Sequence, residues 1–550
     1  MNSLQFETIT IEDLFSELCE GRFAVPKLQR AFVWNGLKAS KLLDSVYRGM
    51  PIGALTIWDT SKKNRTLLRR SLEVLPNFKD HNSRVWFVLD GQQRLSVLYR
   101  IFMGGEQTNG SRQAVDFGRV VFRVTNGEEV SRFQYRKPVP GEWISLPDLL
   151  ASNWKSRVRE VRARGLKRLE NCRSIIKEYR VPLVTIASES LDEARELFIR
   201  INSLGTPLGA ADRAFARASR FDLRELAETS REDLPLAFQN VRYEMFLQTR
   251  ALLDGIEDVG ERAFEQVAKK WDQRIAKDSR ITKQFSHLWH KQTKAIQRAI
   301  DCLIKDFCVQ DDGLLPSEYM IATLAVFFYH HAALPTPRQS SEIRKWFWAT
   351  SVGQRYSGRG FRDNIINDAL FFKKLCRPRG TSFRFTDRVD PIELQRAFYG
   401  KRSSIADALY CLLIAQKPAY LANGQAMLTQ EFASHANRKH KHHIFPRALL
   451  SRARVPPNRT NSVVNLCFIC AEENSLFGSK KPFKYLDDYR HKRHFARVMR
   501  SHLIPIDSKS GIWDRNVDSG YKRFLKARTR LLCRAFDRAA GMRIFRTEKP

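Results

Sequence analysis

The chain has 550 residues, 43% hydrophobic and 11% aromatic, enough for several packed cores, which excludes a disordered or low-complexity protein. Its 94 lysines and arginines face 59 aspartates and glutamates, a formal charge of +35 that calls for a polyanionic partner, nucleic acid first. From His435 to the end the balance is 27 against 9, an excess of 18, so about half of the surplus lies in the last fifth of the chain.

Taken in chain order, "IEDLFSEL" predicts an amphipathic helix, and "FAVPKLQRAFVW" an extended run around Pro26. "LKASKLLDSVYRG" predicts a helix closed by Gly49, and "IGALTIW" and "VWFVL" predict strands. "VPLVTIA" (181–187) predicts a further strand before the helix "DEARELFIRIN", so residues 1–215 read as an α/β or α+β domain. Residues 216–430 are periodic at helical spacing almost throughout, broken by polar loops such as "LPTPRQSS". Residues 431–550 return to short strands and then to basic helices such as "SGYKRFLKARTRLLCRAF". The most apolar run, "YMIATLAVFFYHHAAL" (319–334), is interrupted by two histidines and falls short of the roughly 20 residues of a membrane span. It predicts a buried helix. No basic and apolar leader opens the chain, and its nine cysteines are scattered apart from Cys467 and Cys470. No secretory signal is therefore expected, and a reducing cytoplasm is.

Two constellations carry chemistry. In "VWFVLDGQQRLSVLYRIF" (85–102) a strand breaks at Asp-Gly and a helix begins. Asp90 and Gly91 are accounted for by a capped turn, but Gln92, Gln93 and Arg94 place three long polar side chains at a helix start. Such a start favours anions, and a neighbouring Arg can grip a phosphate through two parallel hydrogen bonds. Gln29-Arg30 in "VPKLQRAFVW" could close over the same ligand, and "FIRINSLGTPL" adds Arg200 and Asn202. No P-loop pattern is present. Phe32, Trp34, Trp58 and Trp86 are candidates for stacking on a flipped base, although buried core is the simpler role for most of them.

The second constellation is "HKHHIFP" (440–446). A structural zinc site would want thiolates, and Cys467 and Cys470 fall on opposite faces of the strand predicted for "NLCFICA", which is poor geometry. A basic patch on phosphates is a second reading. The third is a one-metal nuclease, in which a neutral histidine activates water while a divalent ion stabilises the scissile phosphate and the leaving oxygen. His442 and His443 point to opposite sides of a strand unless it ends there, as the Pro446 turn suggests. Asn465 and Asn474 flank the next apolar strand, and the Asn474 amide offers an oxygen ligand.

"VPKLQRAFVWN", "RGMPIGALTIW", "VLDGQQRLSVL" and "LFIRINSLGTPL", in that order over residues 15–215, resemble the N-terminal domain of the GmrSD-type modification-dependent restriction proteins. The resemblance implies a ParB/sulfiredoxin-like fold that binds, and often hydrolyses, a nucleoside triphosphate. Gln29, Arg30, Asp90, Gln92, Gln93 and Arg94 would form its nucleotide site, with Arg200 and Asn202 secondary. "GQRYSGRG" (353–360) is similar to the family's helical connector. The order His-His, Asn, Asn resembles the HNH (ββα-metal) nuclease domain that accompanies it.

On that match His443 is the general base, His442 a metal ligand, Asn465 the brace of the loop that orients the base, and Asn474 the residue completing the metal site. Lys481 would contact phosphate, and His440 is an extra ligand or, better, a phosphate contact. His442 stands where Asp or Glu is frequent and Asn474 where His is frequent, which leaves Mg²⁺ against Mn²⁺ open. The implied protein is multidomain α+β: a ParB/sulfiredoxin-like sensor, a helical connector and an HNH nuclease domain with basic helices. It would be an NTP-regulated, metal-dependent endonuclease or nickase acting on double-stranded DNA in bacterial defence, with homo-oligomerisation and partner proteins left open. The alternatives are a nucleotide-switched DNA-binding clamp with an inactive nuclease domain, and RNA in place of DNA.

Overall fold

A computed structural model of the chain describes residues 3–547 apart from 27–28, 30–31, 69–74, 77, 80–82, 109–113, 126–131, 205–208, 219, 378–380, 399–402, 428–440, 470–472 and 474–476. It divides into two compact units, Met1–Arg224 and Glu225–Pro550.

In the first unit, runs rich in β-branched and aromatic residues form a five-stranded sheet. Its strands are β1 (Ser3–Thr10), β2 (Phe23–Ala24), β3 (Leu55–Ser61), β4 (Arg84–Asp90) and β5 (Arg180–Ala187). The order is β1-β5-β3-β4-β2. The β5–β3 and β4–β2 pairs are parallel and the other two antiparallel. Alternation gives the sheet two buried faces. Ile57, Val88 and Leu183 pack with the helices Ile11–Cys19, Gly36–Tyr47 and Gln92–Met103. On the opposite face Trp58, Phe87 and Leu89 receive Ala194 and Phe198 of the Leu191–Leu204 helix. Thr10 and Asn35 cap the first two helices, each accepting a backbone N–H from three residues on. Gly49 follows the second with φ +65°, a left-handed turn that suits glycine.

The second unit is helical from Tyr243 to Ala415 apart from connecting loops. Its Tyr319–His330 helix is buried from Met320 to Phe328, and among the described residues no helix is long and apolar enough to cross a membrane. The basic tail is built onto this body. Trp348 meets Phe536 edge-on at 5.6 Å, and Gln395 Nε2 donates to Thr529 Oγ1 at 3.1 Å. Val389 pairs in parallel with Phe545.

His502, fully buried, donates a ring N–H to the Ala419 carbonyl at 2.8 Å. Burial pushes its pKa down to about 4 from the ordinary 6.5. The folded value lies below the unfolded one, so the stabilisation is complete above pH 6.5 and is lost as the pH falls towards 4. The gap corresponds to about 3 kcal/mol. Urea midpoints are expected to drop steeply between those pH values, and a His502→Gln variant, which keeps a donor and cannot titrate, is expected to flatten that drop.

Candidate functional site

The DGQQR segment is a sharp joint between β4 and the Gln92–Met103 helix, with Gly91 at φ +90° as the N-cap. A Cβ on Gly91 would lie 2.4 Å from Leu55 Cδ2, so glycine is required both by conformation and by close approach. The polar side chains of the joint are brought together with the Pro26–Trp34 loop. Gln29 is buried and its Nε2 donates to the carbonyls of Val88 (3.1 Å) and Leu89 (2.6 Å). Gln93 Oε1 accepts the backbone N–H groups of Val33 (2.8 Å) and Trp34 (3.3 Å). Gln29 and Gln93 thus hold the loop against the strand and helix from two sides. Arg30 lies outside the described residues.

Arg94 is spent on the protein itself. Its Nη1 donates to Ile52 O at 2.6 Å, and Nη2 to Ala54 O at 3.0 Å and to Asp90 Oδ2 at 2.9 Å. The guanidinium therefore ties the 52–54 loop to the start of the helix. Gly53 sits at φ +83°, and a Cβ there would fall 2.4 Å from Arg94 Nη1. Gly53→Ala is expected to destabilise the N-terminal unit by about 1–3 kcal/mol, measurable as a lower thermal midpoint. Gln92 Oε1 is buried and has no hydrogen-bond partner among the described residues. An orphaned acceptor at an unblocked helix start is the feature of this joint that asks for a ligand.

Arg200 lies on the Leu191–Leu204 helix, which covers the other face of the sheet, and its exposed guanidinium pairs with Glu196 at 2.8 Å. Asn202 is on the same helix. Of the aromatic candidates, Phe32 and Trp58 are core, and Trp34 and Trp86 pack partly buried against it.

At the other site Lys441–His443 (β6) pairs antiparallel with Leu466–Phe468 (β7), His443 opposite Leu466. The strand ends at His443, and Pro446 caps the short helix Arg447–Arg452. Asn465 is fully buried and zips this turn. Its Oδ1 accepts Phe445 N–H at 2.9 Å, and its Nδ2 donates to the carbonyls of Phe445 (3.0 Å) and Thr460 (3.2 Å). Tyr485, from the Pro482–Arg490 helix after the strand pair, donates its hydroxyl to Ile444 O at 2.6 Å. Phe445 is wedged between Tyr521 and Phe524, each ring 5.1 Å away.

The backbone on either side of His443 is therefore fixed while its ring stays half-buried. Burial holds the imidazole below its ordinary pKa, a hydrogen bond with the Asn461 side chain pulls the other way, and the Arg447 charge adds to the depression. At neutral pH the ring is neutral and can take a proton.

Lys481 caps the Pro482–Arg490 helix and donates to Arg515 O at 2.8 Å, which leaves two of its three donors for other partners. Of His442 the backbone place on β6 is described, and His440 and Asn474 lie outside the described residues. Among the described residues no three His, Cys, Asp or Glu gather as a metal group. Cys467 is buried, its thiol pushed up to about 12, and Cys470 lies outside the described residues.

Asn461, Tyr485 and Arg528 were not legible as site residues in the sequence. Arg528 is fully buried inside the basic Val517–Ala540 helix, where it donates to the carbonyls of Val464 (2.6 Å), His502 (3.0 Å) and Leu503 (3.0 Å). The Val464 contact is made one residue before Asn465. The opposite face of that helix exposes Lys522, Lys526, Arg530, Arg534 and Arg538 at steps of four. At 1.5 Å per residue the stripe runs for about 24 Å, matching roughly seven nucleotides of one strand.

Residues 11–218 match the sequence model of the N-terminal domain of GmrSD restriction endonucleases. An uncharacterized protein of Methanocaldococcus jannaschii is 24% identical over 543 residues, covering 88% of this chain and 87% of that protein.

Proposed function

We propose, from the membership of residues 11–218 in the GmrSD restriction endonuclease N-terminal domain family, that the chain is a nucleotide-regulated DNA endonuclease or nickase of the HNH kind. That match supports a DNA-acting restriction enzyme of defence. The observation that carries the finer reading is His443, a neutral imidazole at the end of a strand whose following turn is locked by Asn465. His443 draws the proton from the attacking water. Asn461 sets the orientation of its ring, and Asn465 and Tyr485 hold the backbone from which it projects.

An imidazole and an amide oxygen make a donor set that suits a divalent ion of the Mg²⁺ or Mn²⁺ class, and His442 and Asn474 are the residues that would hold it. Bound there, the ion would neutralise charge building on the phosphate and leaving oxygen. The antiparallel pair β6–β7 followed by the Tyr485 helix has the order a ββα-metal site requires. The stripe from Lys522 to Arg538 supplies phosphate contacts without sequence information.

In the N-terminal unit a nucleoside triphosphate binds at the start of the Gln92–Met103 helix, beside Gln29. Arg94 acts there chiefly by fixing the 52–54 loop, since three of its five donors are already engaged by Ile52, Ala54 and Asp90. Phosphate is drawn to the positive end of this helix, whose N-cap Gly91 makes no side-chain capping bond, with Arg30 as its cationic partner, and Gln92 Oε1 accepts from a hydroxyl or amine of the ligand. A supercoiled-plasmid assay tests the whole: cleavage in Mg²⁺ or Mn²⁺, on modified and unmodified DNA, with and without NTP. No cut under any condition, with nucleotide-dependent DNA binding retained, would replace this reading with a nucleotide-switched clamp.

A further inference from the structure

The N-terminal unit carries a concentration of positive charge that neither site above uses. Residues 119–168 hold twelve Lys+Arg and five Asp+Glu, an excess of seven in 50 residues. Residues 1–118 hold sixteen and twelve, an excess of only four. The first count includes Glu128 and Glu129, which lie outside the described residues, so the excess survives wherever those two carboxylates stand.

The fold gathers this charge onto adjoining segments. A three-stranded antiparallel sheet (Val120–Arg123, Phe133–Tyr135 and Trp143–Ser145) lies against the start of the Ala163–Glu178 helix. Arg168 Nη1 donates to Val124 O at 2.9 Å, and a Cβ on Gly165 would fall 2.7 Å from Val124 Cγ1. A Cβ on Gly141 would lie 3.7 Å from Glu160 O, which brings the 139–143 turn to the same place. Trp154, Val158, Val161 and Leu169 are buried in the core and anchor the stretch, while Arg159, Arg162, Arg164 and Lys167 between them are exposed. Arg123 and Arg136 lie over the buried Trp143 ring, 5.5 and 4.9 Å from its centre, with Arg136 itself exposed.

Pairing is the second observation. Elsewhere in the unit arginines meet carboxylates, Arg48 with Asp44, Arg84 with Asp59 and Arg157 with Asp148. Arg136, Arg159, Arg162, Arg164 and Lys167 have no carboxylate partner among the described residues. Glu128 and Glu129 together could neutralise two of these five at most. Like charges crowded in this way oppose folding, and a bound polyanion relieves them. Four of the five are arginines, whose planar forks match phosphate oxygens. No large apolar side chain is exposed between 152 and 168, as insertion into a lipid surface would need.

We propose that this ridge is a second DNA interface, with which the N-terminal unit grips duplex phosphates independently of the Val517–Ala540 helix. It rests on the reading of the chain as a DNA-acting enzyme and adds that the N-terminal unit holds the duplex directly. Fluorescence anisotropy of the full chain on a short labelled DNA duplex, in chelator to prevent cleavage, tests it across a salt series. Arg162→Ala/Arg164→Ala/Lys167→Ala should lower the slope of log affinity against log salt by about 2–3 and weaken binding about 10- to 100-fold. Its thermal midpoint should not move, because the three side chains are exposed. Arg162→Lys/Arg164→Lys keeps the charge and should keep the slope. Lys526→Ala/Arg534→Ala/Arg538→Ala removes contacts on the other unit, so the losses from the two triple variants should add. A slope unchanged in the N-terminal triple and lowered in the C-terminal one would overturn the proposal and leave the DNA reading standing. No duplex binding by the wild type would overturn both. Phosphatidylserine vesicles are the control: vesicle binding lost in the N-terminal triple, with duplex binding untouched, would replace DNA with a membrane surface.

Discussion

His443→Ala is expected to lower plasmid cleavage by about 10²–10⁴-fold, the usual loss when a positioned base is removed. The substitution leaves the fold in place because the local structure does not depend on the ring. The turn after it is held by the three hydrogen bonds of Asn465 and by Tyr485. DNA affinity and its salt dependence should also be unchanged, since the exposed cations of the Val517–Ala540 helix are untouched.

The pH profile supplies a second readout. The base must be neutral to act, and its folded pKa lies below 6.5, so cleavage should climb with pH on the acid side and be level by neutrality. Asn465→Ala is the contrasting variant. It should lose cleavage and stability together, because three backbone groups are left unpaired in a buried turn. Undiminished cleavage by the His443 variant, with a flat acid limb, would remove the imidazole from the mechanism.

Much of this arrangement was legible in the sequence because it rests on local signals. The helices of the N-terminal unit follow from apolar spacing and from Thr10, Asn35 and Gly49 at their ends. The break at Asp90-Gly91 follows from a residue type that alone tolerates the required backbone. Where local signals stop, the reading fails in a consistent way. "IGALTIW" reads as a strand from Ile52, yet β3 begins at Leu55. The carbonyls of Ile52 and Ala54 are claimed by Arg94, forty residues on, and Gly53 takes a positive φ, so this stretch cannot join the ladder. An arginine beside two glutamines at a helix start looks like a phosphate grip. Only the fold reveals that three of its five donors are taken by Ile52, Ala54 and Asp90. Asn461 and Tyr485 were missed for the same reason, as their partners are contributed by distant segments.

Arg528 is the extreme case, and its removal should have the largest effect on stability. In sequence it is one of a run of cations in "YKRFLKARTR", and its neighbours Lys526 and Arg530 are exposed. Helical spacing turns Arg528 inward with Tyr521, Phe524, Leu525 and Leu532, and the fold surrounds it with three carbonyls, those of Val464, His502 and Leu503. Burial lowers its pKa to about 10, still far above neutrality, so it stays charged and its donors are satisfied by dipoles rather than by a carboxylate.

Arg528→Met fills much of the same volume but strands those carbonyls, each at about 1–3 kcal/mol, so at least about 3 kcal/mol should be lost. Denaturant unfolding of the full chain measures it, the second unit giving way first. Arg528→Lys should recover only part, because an ammonium cannot span three carbonyls that a planar fork reaches at once. A loss below about 1 kcal/mol in the Met variant would mean that these carbonyls find water instead. The same arginine joins the basic helix to the residue before Asn465, so the Lys variant should also cut DNA more slowly than its DNA affinity predicts. That split would show that the helix that holds the phosphates also sets where His443 stands.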